Sequence, residues 1–538
     1  MTDSIKVTRR NFLMGAGAVA AGIAGATALA GCGPQSTSES MDEGSQEATE
    51  LKTATQILEA DVVVAGLGAA GLFAAYGAAS KGAKVIAVDA SSSMAGTTNT
   101  RTSAACAVGS SLQEVSPEPL TAQEFIDYLN TGTNYQSNQL ALRNVVEATG
   151  RAVDILVDAG MPFNVDFANT TKADTMMVRG GCVYGVTGDE RAEYFTKVAD
   201  SAGVECHFDT TAESLIVAED GTVTGIQCVS GQDVIDINAK AVILATGGFL
   251  GSPEEVAKHF AGAKIVCMGN TLNTGAGINM AMSAGAQLGK CFSISMNEYG
   301  GANDKATPTY SFRPGTGTNE AMRLPVFGGL LVNSQGERFV NEGVMCEKTM
   351  FCCEPLVRES YHYAICDEAF MKRWESEPLP TFLGDARMQG MFADVTATDV
   401  REQFDAAVEE GWAFKADTLE EIAEHFGLTN LVDNVAAYNE LCAAGEDTQF
   451  FKDPKYLAAI EEGPFYAIEL EAAAWVTLGG IKTDGHCRAV NADSQPIEGL
   501  FIAGVDGDFW AVPYFQGGSC QGFCVASGYL AGVTAAQA

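Results

Sequence analysis

Short apolar runs that end in glycine turns recur along this chain. Residues 61–65 read "DVVVA", a run too short for a helix and apolar on both faces, which predicts a buried parallel strand. The stretch "LFAAYGAASKGA" then predicts a helix that stops at Gly82, and "KVIAVD" predicts a second strand closing on Asp89. The same alternation returns in "KAVILATGGFLG" (240–251), in "NTGAGINMAMSAGA" (273–286) and in "IEGLFIAGVDGD" (497–508). Strands alternating with helices predict an α/β fold around a parallel sheet.

The first thirty residues follow a different pattern. "TRRNFLMGAGAVAAGIAGATALAGC" places Arg9 and Arg10 before Phe12 and Leu13, then a weakly apolar Gly/Ala run. This is the layout of a twin-arginine export signal. The run ends on Leu29-Ala30-Gly31-Cys32, which resembles a bacterial lipobox with Cys32 as the lipid-modified residue after cleavage. The expectation is a signal peptide over 1–31, a flexible linker over 32–57, and a bacterial protein lipid-anchored on the outer face of the cytoplasmic membrane. A transmembrane anchor is the competing reading, and the shortness and glycine content of the run weigh against it.

At 538 residues the chain is too long for one simple core. Its net charge of −36 excludes binding nucleic acid through phosphates, which needs a basic face. It suits solubility, or docking of a basic redox partner. The fifteen cysteines form no CxxC pair and no disulfide framework. Cys352 and Cys353 are adjacent, and Cys520 and Cys524 lie four apart, as on one helix face. Two readings stand: buried small hydrophobes, or dispersed thiolates holding a [4Fe-4S] cluster.

The first glycine passage carries the clearest chemistry. Gly66, Gly68, Ala70 and Gly71 lie between a strand and a helix, where glycines let backbone approach a pyrophosphate and the helix N-terminus faces its charge. Asp89 stands at the offset of a ribose hydroxyl partner. The loop after it supplies Thr97, Thr98, Thr102 and Ser103, small hydroxylated residues suited to a second phosphate and a ribityl chain.

Together with Thr246-Gly247, Gly277 and the Gly518-Ser519 turn, these motifs resemble, in order, the flavoprotein family of fumarate reductases, succinate dehydrogenase flavoprotein subunits, urocanate reductases and 3-ketosteroid dehydrogenases. The resemblance implies FAD and a Rossmann-like FAD-binding domain interrupted by an α+β capping domain. FAD-binding parts are expected at 58–292 and 477–538, with the capping, substrate-binding domain at 293–476, in which "GGLLVNSQGERFVNE" (328–342) resembles the family's strand–turn–strand signature. It also implies a clamp of histidines and arginines for a dicarboxylate, which this chain lacks. Asn297 or Glu298, Val476, Cys346 and the Tyr514-Phe515-Gln516 stretch stand at the clamp positions. Only Glu320 and Arg323 match the family's proton-relay pair. Aromatic residues remain: Trp475, Trp510, Phe515 and Tyr299 as walls of a pocket for a bulky apolar substrate.

The expected reaction is hydride transfer from flavin to an activated C=C bond of an enone, enoate or unsaturated lactone. Tyr514 is the expected acid, or a polariser of the carbonyl, and Arg323 with Glu320 is the rival proton route. Exported flavin reductases of gut actinobacteria share this combination of features, and that likeness implies the lactone of a cardiac glycoside as one candidate substrate. Electrons are expected from membrane quinol through a separate cytochrome, since no CxxCH haem motif occurs. A 3-ketosteroid-type dehydrogenase and a flavin electron-transfer lipoprotein are the alternatives.

Overall fold

The structure, a computed structural model, describes residues 51–538 apart from 101–103, 165–180, 296–297, 302–318, 349–352, 360, 385–388, 391, 397–398 and 515. The predicted signal, Cys32, Thr102, Ser103 and Phe515 therefore lie outside the described residues. Within them, no helix is long and apolar enough to cross a membrane.

The chain builds a nucleotide-binding sheet first and completes it last. Strand β1 (Val62–Ala65) runs into helix α1 (Ala69–Ala79) and returns as β2 (Val85–Val88). Helices α2 (Ala122–Gly132), α3 (Gln139–Asp158) and α4 (Gly188–Ala202) precede β3 (Glu205–His207) and, later, β4 (Ala241–Leu244). Helix α5 (Ala276–Ser283) follows, and then the cap, whose long strand β5 is Phe465–Ala474. Strands β6 (Arg488–Val490) and β7 (Pro496–Ile502) and helix α6 (Ser519–Ala535) close the chain. The resulting sheet has the order β6-β7-β4-β1-β2-β3. Its central strands pair in parallel, with Val62 opposite Val85 and Ala241, and Val242 opposite Leu500. Every residue of β1, β2 and β4 is buried, as expected of parallel strands covered on both faces.

Helices α1 and α6 lie backbone to backbone, which explains the Gly and Ala residues where they meet. A Cβ on Gly528 would fall 2.0 Å from Ala70 O, and one on Gly532 would fall 2.0 Å from Ala74 O. Larger residues there would force the two helices apart.

The cap is a second sheet with the order Ile265–Cys267, β5, Tyr361–Cys366, Leu330–Asn333, to which Glu298–Gly301 and Ala413–Ala416 add along β5. One of its strands, Ile265–Cys267, lies upstream of residue 293, where the sequence places the domain boundary. The segment 328–342 departs from the expected strand–turn–strand. Leu330–Asn333 is a strand, but the second limb keeps only the single bridge between Val332 and Arg338. The reason is a buried ionic cluster. Arg338 turns inward to Glu342 and Asp447, each 2.8 Å away, and Lys452 Nζ lies 3.7 Å from Glu342. Lys452 also donates to Gly328 O and Tyr438 Oη, so the cluster joins both ends of the segment.

Two outcomes follow for stability. Gly528→Ala should lower the unfolding free energy by about 1–3 kcal/mol through overpacking of α1 against α6, read by urea denaturation. Burial pushes the Asp447 carboxyl up, but Arg338 and the N–H groups of Phe450, Gln449 and Lys452 outweigh it and hold it well below the ordinary carboxylate range. A depressed folded-state pKa stabilises above the unfolded value and loses that effect as pH falls. The stability gap between the native protein and Asp447→Asn should thus be widest near neutrality and shrink below about pH 4.

Candidate active site

The glycine loop is shaped by two side chains that grip Leu67. The half-buried Asp89, at the end of β2, accepts the Leu67 N–H at 2.6 Å and the Ser91 N–H at 2.8 Å. Asn99 Nδ2 donates to Leu67 O at 3.0 Å, while its buried Oδ1 has no partner among the described residues. Asn99 carried no separate signal in the sequence beyond its place in "TTNT". The loop has no room for side chains: a Cβ on Gly71 would fall 1.6 Å from Gly66 O, and one on Gly68 would fall 2.6 Å from Thr98 Oγ1. Thr97 is buried beside it and donates to Met94 O at 2.8 Å.

The opposite wall is organised by Asp506. It follows β7 and reaches back to the turn after β4, where it accepts the Thr246 N–H, the Thr246 hydroxyl at 2.9 Å and the Gly248 N–H at 2.8 Å. Thr246 Oγ1 in turn accepts the Gly277 N–H at 3.0 Å, which draws in the start of α5. Asp506 is fully buried, and desolvation pushes its carboxyl up while these donors pull it back. Gly247 sits at φ +98, where a Cβ would strike Asn273 Oδ1 at 2.6 Å.

Three helices start in this region alike: α1 at Gly68, α5 at Gly275 and α6 at Gly518, none with a side-chain cap and none with an acid in its first turn. By contrast, α2 and α3 are capped by Thr121 and Asn138. Gly504 and Ala70 bring α1 to the Asp506 turn, since a Cβ on Gly504 would fall 2.6 Å from Ala70 Cβ. Uncapped N–H groups, the unpartnered Asn99 oxygen and closely approached glycines fit an anionic dinucleotide such as FAD. The expected cofactor residues Gly66, Gly68, Ala70, Gly71, Asp89, Thr97, Thr98, Thr246, Gly247 and Gly277 are arranged in this cradle, and Gly518 and Ser519 start α6.

Tyr514 sits just before α6. It is buried, and the Ser519 and Ser295 side chains and the Cys520 N–H lie near enough to its hydroxyl to oppose the effect of that burial. Burial pushes the phenol well above its ordinary value. Ser295, for which the sequence offered no signal, also orders the end of β5: its N–H donates to Val476 O at 2.9 Å, and it accepts the Trp475 N–H at 3.0 Å. Trp475 is half-buried there.

Trp510 is placed differently. Its ring packs into the interior, 5.7 Å from Phe523 and 6.1 Å from Phe509. Tyr299 lies in the strand opposite Ala472, and its side chain is outside what the structure describes. Glu320 and Arg323 form a buried ion pair in the cap, with Glu320 N–H on Gln403 Oε1 at 2.7 Å and the guanidinium 5.4 Å from the Phe392 ring. Burial pushes the Glu320 carboxyl up, and Arg323 opposes that shift. Cys346 is buried, and its thiol is pushed up to about 12 by desolvation. Cys106, Cys206, Cys228, Cys487 and other described cysteines are likewise thiols without a disulfide. Among the described residues, no three His, Cys, Asp or Glu side chains gather as a metal site.

The Asp506 arrangement makes a direct prediction. Asp506→Asn sets an amide N–H against a backbone N–H and should cost about 1–3 kcal/mol of stability. The flavin-to-protein ratio of the purified variant should fall with it, read by absorbance against urea denaturation.

Comparison with known proteins agrees with this geometry. A family model described as an FAD-binding domain matches residues 61–520. The vinyl phenol reductase of Lactiplantibacillus plantarum is 30% identical over 495 residues, spanning 89% of this chain and 96% of that protein. The digoxin reductase of Eggerthella lenta is 26% identical over 551 residues, spanning 92% of this chain and 90% of that protein. The solved structure of the open conformation of a flavocytochrome c3 fumarate reductase shares the fold at a TM-score of 0.61, with 22% identity, over 89% of this chain and 78% of that one. The chain belongs to the FAD-binding-domain family, as an FAD-dependent oxidoreductase of the class that acts on C=C bonds.

Proposed function

We propose that this protein is an exported reductase that saturates an activated C=C bond in a bulky, mostly apolar substrate, with Tyr514 as the proton donor. The observation that carries the reading is the Tyr514 phenol, buried just before α6 beside Ser519. When bound, FAD supplies hydride-transfer chemistry. The glycine loop, Asp89 and the N-termini of α1, α5 and α6 would hold it.

Because burial raises the phenol, Tyr514 stays protonated at neutral pH and acts as an acid rather than a base. Its hydroxyl can give its proton to the substrate carbon or polarise a neighbouring carbonyl. Trp475 and Val476, delivered by the end of β5, form the aromatic and apolar side of the site. Two of the positions at which the resemblance expects a cationic clamp are neutral here. Val476 is aliphatic, and Cys346 is a thiol whose raised pKa keeps it uncharged. A carboxylate would meet no bidentate arginine at either.

The names of two relatives, a vinyl phenol reductase and a digoxin reductase, support a conjugated aryl alkene or an unsaturated lactone as the substrate class. The twin-arginine and lipobox motifs support lipid anchoring at Cys32 outside the cytoplasmic membrane. There a separate cytochrome with a basic face would deliver electrons to this acidic protein.

The test is anaerobic. Flavin-loaded protein reduced with viologen is mixed with fumarate, cinnamate, vinyl phenol, an enone or a butenolide, and reoxidation is followed by absorbance. Rapid reoxidation by an apolar alkene and slow reoxidation by fumarate are expected. Fumarate as the fastest oxidant would sink the substrate reading, and silence across the whole series would leave an electron-transfer role instead. Tyr514→Phe should slow reoxidation by the best alkene roughly 100- to 10,000-fold with flavin retained. Since the phenol is raised, the native rate should show no loss from its ionisation up to about pH 10.

A further inference from the structure

A cavity of about 20 Å³ separates the 509–519 segment from α2 and from the turn that joins α2 to α3. Leu129, Leu142 and Phe523 line its apolar side, and Ser137, Trp510 and Gln516 its polar side. Trp510 Nε1 and Gln516 Oε1 are buried and bond to nothing among the described residues. One is a donor and the other an acceptor. Gln516 commits its Nε2 to Gly517 O at 3.0 Å. Ser137 Oγ lies 3.4 Å from Thr133 Oγ1, whose own hydrogen goes to Leu129 O, so the serine oxygen keeps lone pairs to offer. A single water needs about 10–15 Å³ and two to four polar partners, and this space provides both.

Ser519 connects the cavity to the proton donor. It lines the space together with Tyr514 and donates to Gln516 O at 2.8 Å. On the outer side, Ser137 follows Tyr135, which is 66% exposed, and the exposed Gln136. The polar groups of the lining therefore run from beside an exposed turn to Ser519 and Tyr514.

We propose that a water held by Ser137, Trp510 and Gln516 returns protons from solvent to Tyr514 through the Ser519 hydroxyl. This rests on Tyr514 being the proton donor. Donation breaks the Tyr514 O–H bond and forms a substrate C–H bond from the electron pair of the alkene, leaving a phenolate. The Ser519 hydroxyl then turns from Gln516 O to the phenolate, and its O–H bond breaks toward that oxygen while the cavity water protonates Ser519 Oγ. The hydroxide so formed takes a proton from solvent on the Ser137 side. One proton leaves bulk water for each alkene reduced, and nothing in the relay is oxidised or reduced. Ser137 and Trp510 act only by positioning the water.

The experiment uses the flavin-loaded full chain, reduced with limiting dithionite and mixed in stopped flow with vinyl phenol, or with whichever enone or butenolide reoxidises it. Flavin absorbance and a pH-indicator dye are followed together in weak buffer. In the native protein, uptake of one proton should keep pace with reoxidation. In Ser137→Ala and in Trp510→Phe, uptake should lag reoxidation by roughly tenfold or more, and Ser137→Thr should restore it. Should Trp510→Phe fail to fold, the two Ser137 variants decide alone. Uptake in step with reoxidation in Ser137→Ala overturns the relay, and a slow Tyr514→Phe in the same assay leaves the donor assignment standing. Native-like reoxidation by Tyr514→Phe overturns the donor assignment and the relay with it, as does the absence of any alkene that reoxidises the native protein.

Discussion

One buried carboxylate ties together turns that lie 260 positions apart in the chain: Asp506 binds the backbone and side chain of Thr246. Removing a charge from water is costly unless hydrogen-bond donors replace the solvent, and here the donors are those of the turn after β4. The parallel register between β4 and β7 makes this geometry available. With Val242 opposite Leu500, the two strands end side by side and their turns meet. Thr246 passes the constraint on to Gly277 at the start of α5. Gly504, in the same turn as Asp506, meets Ala70 at the start of α1. The cofactor cradle is thus one connected object built from segments on both sides of the cap.

The cap is attached by the same economy of elements. Strand β5 is the spine of its sheet, paired with strands on both sides along its ten residues. Its last residues, Ala472–Ala474, lead straight into Trp475, Val476 and the buried Thr477, whose hydroxyl accepts the Phe249 N–H at 3.1 Å. A strand that begins deep in the cap therefore ends against the cradle. The Arg338, Glu342, Asp447 and Lys452 cluster sets the cap's internal geometry rather than adding much net stability, because buried ion pairs return little beyond their desolvation cost. Its effect is directional: it turns Arg338 inward and leaves the second limb of 328–342 without a ladder.

Several parts of this arrangement were legible in the residues themselves. The strand, glycine loop, helix and strand over 61–89 could be read because local spacing, turn chemistry and burial all favour one structure there. Other parts were not. Trp510 has the composition of a pocket wall, yet its ring packs against Phe523, a contact that α6 supplies. Ile265–Cys267 reads as a short apolar run of no stated destination, and only pairing with Ala472–Ala474 makes it a cap strand. Ser295 is an ordinary serine until Tyr514, more than two hundred positions later, is brought to its hydroxyl.

What the sequence determined alone was the class of chemistry. A glycine loop between a buried strand and a helix, with an acid at the next strand end, admits a dinucleotide for steric and electrostatic reasons that act within thirty residues. Tertiary structure decided which groups face one another: Asp506 with Thr246, Tyr514 with Ser295 and Ser519, Arg338 with Asp447. Each of these contacts joins segments that only strand register or helix packing brings together, and their energies depend on burial that no local pattern encodes.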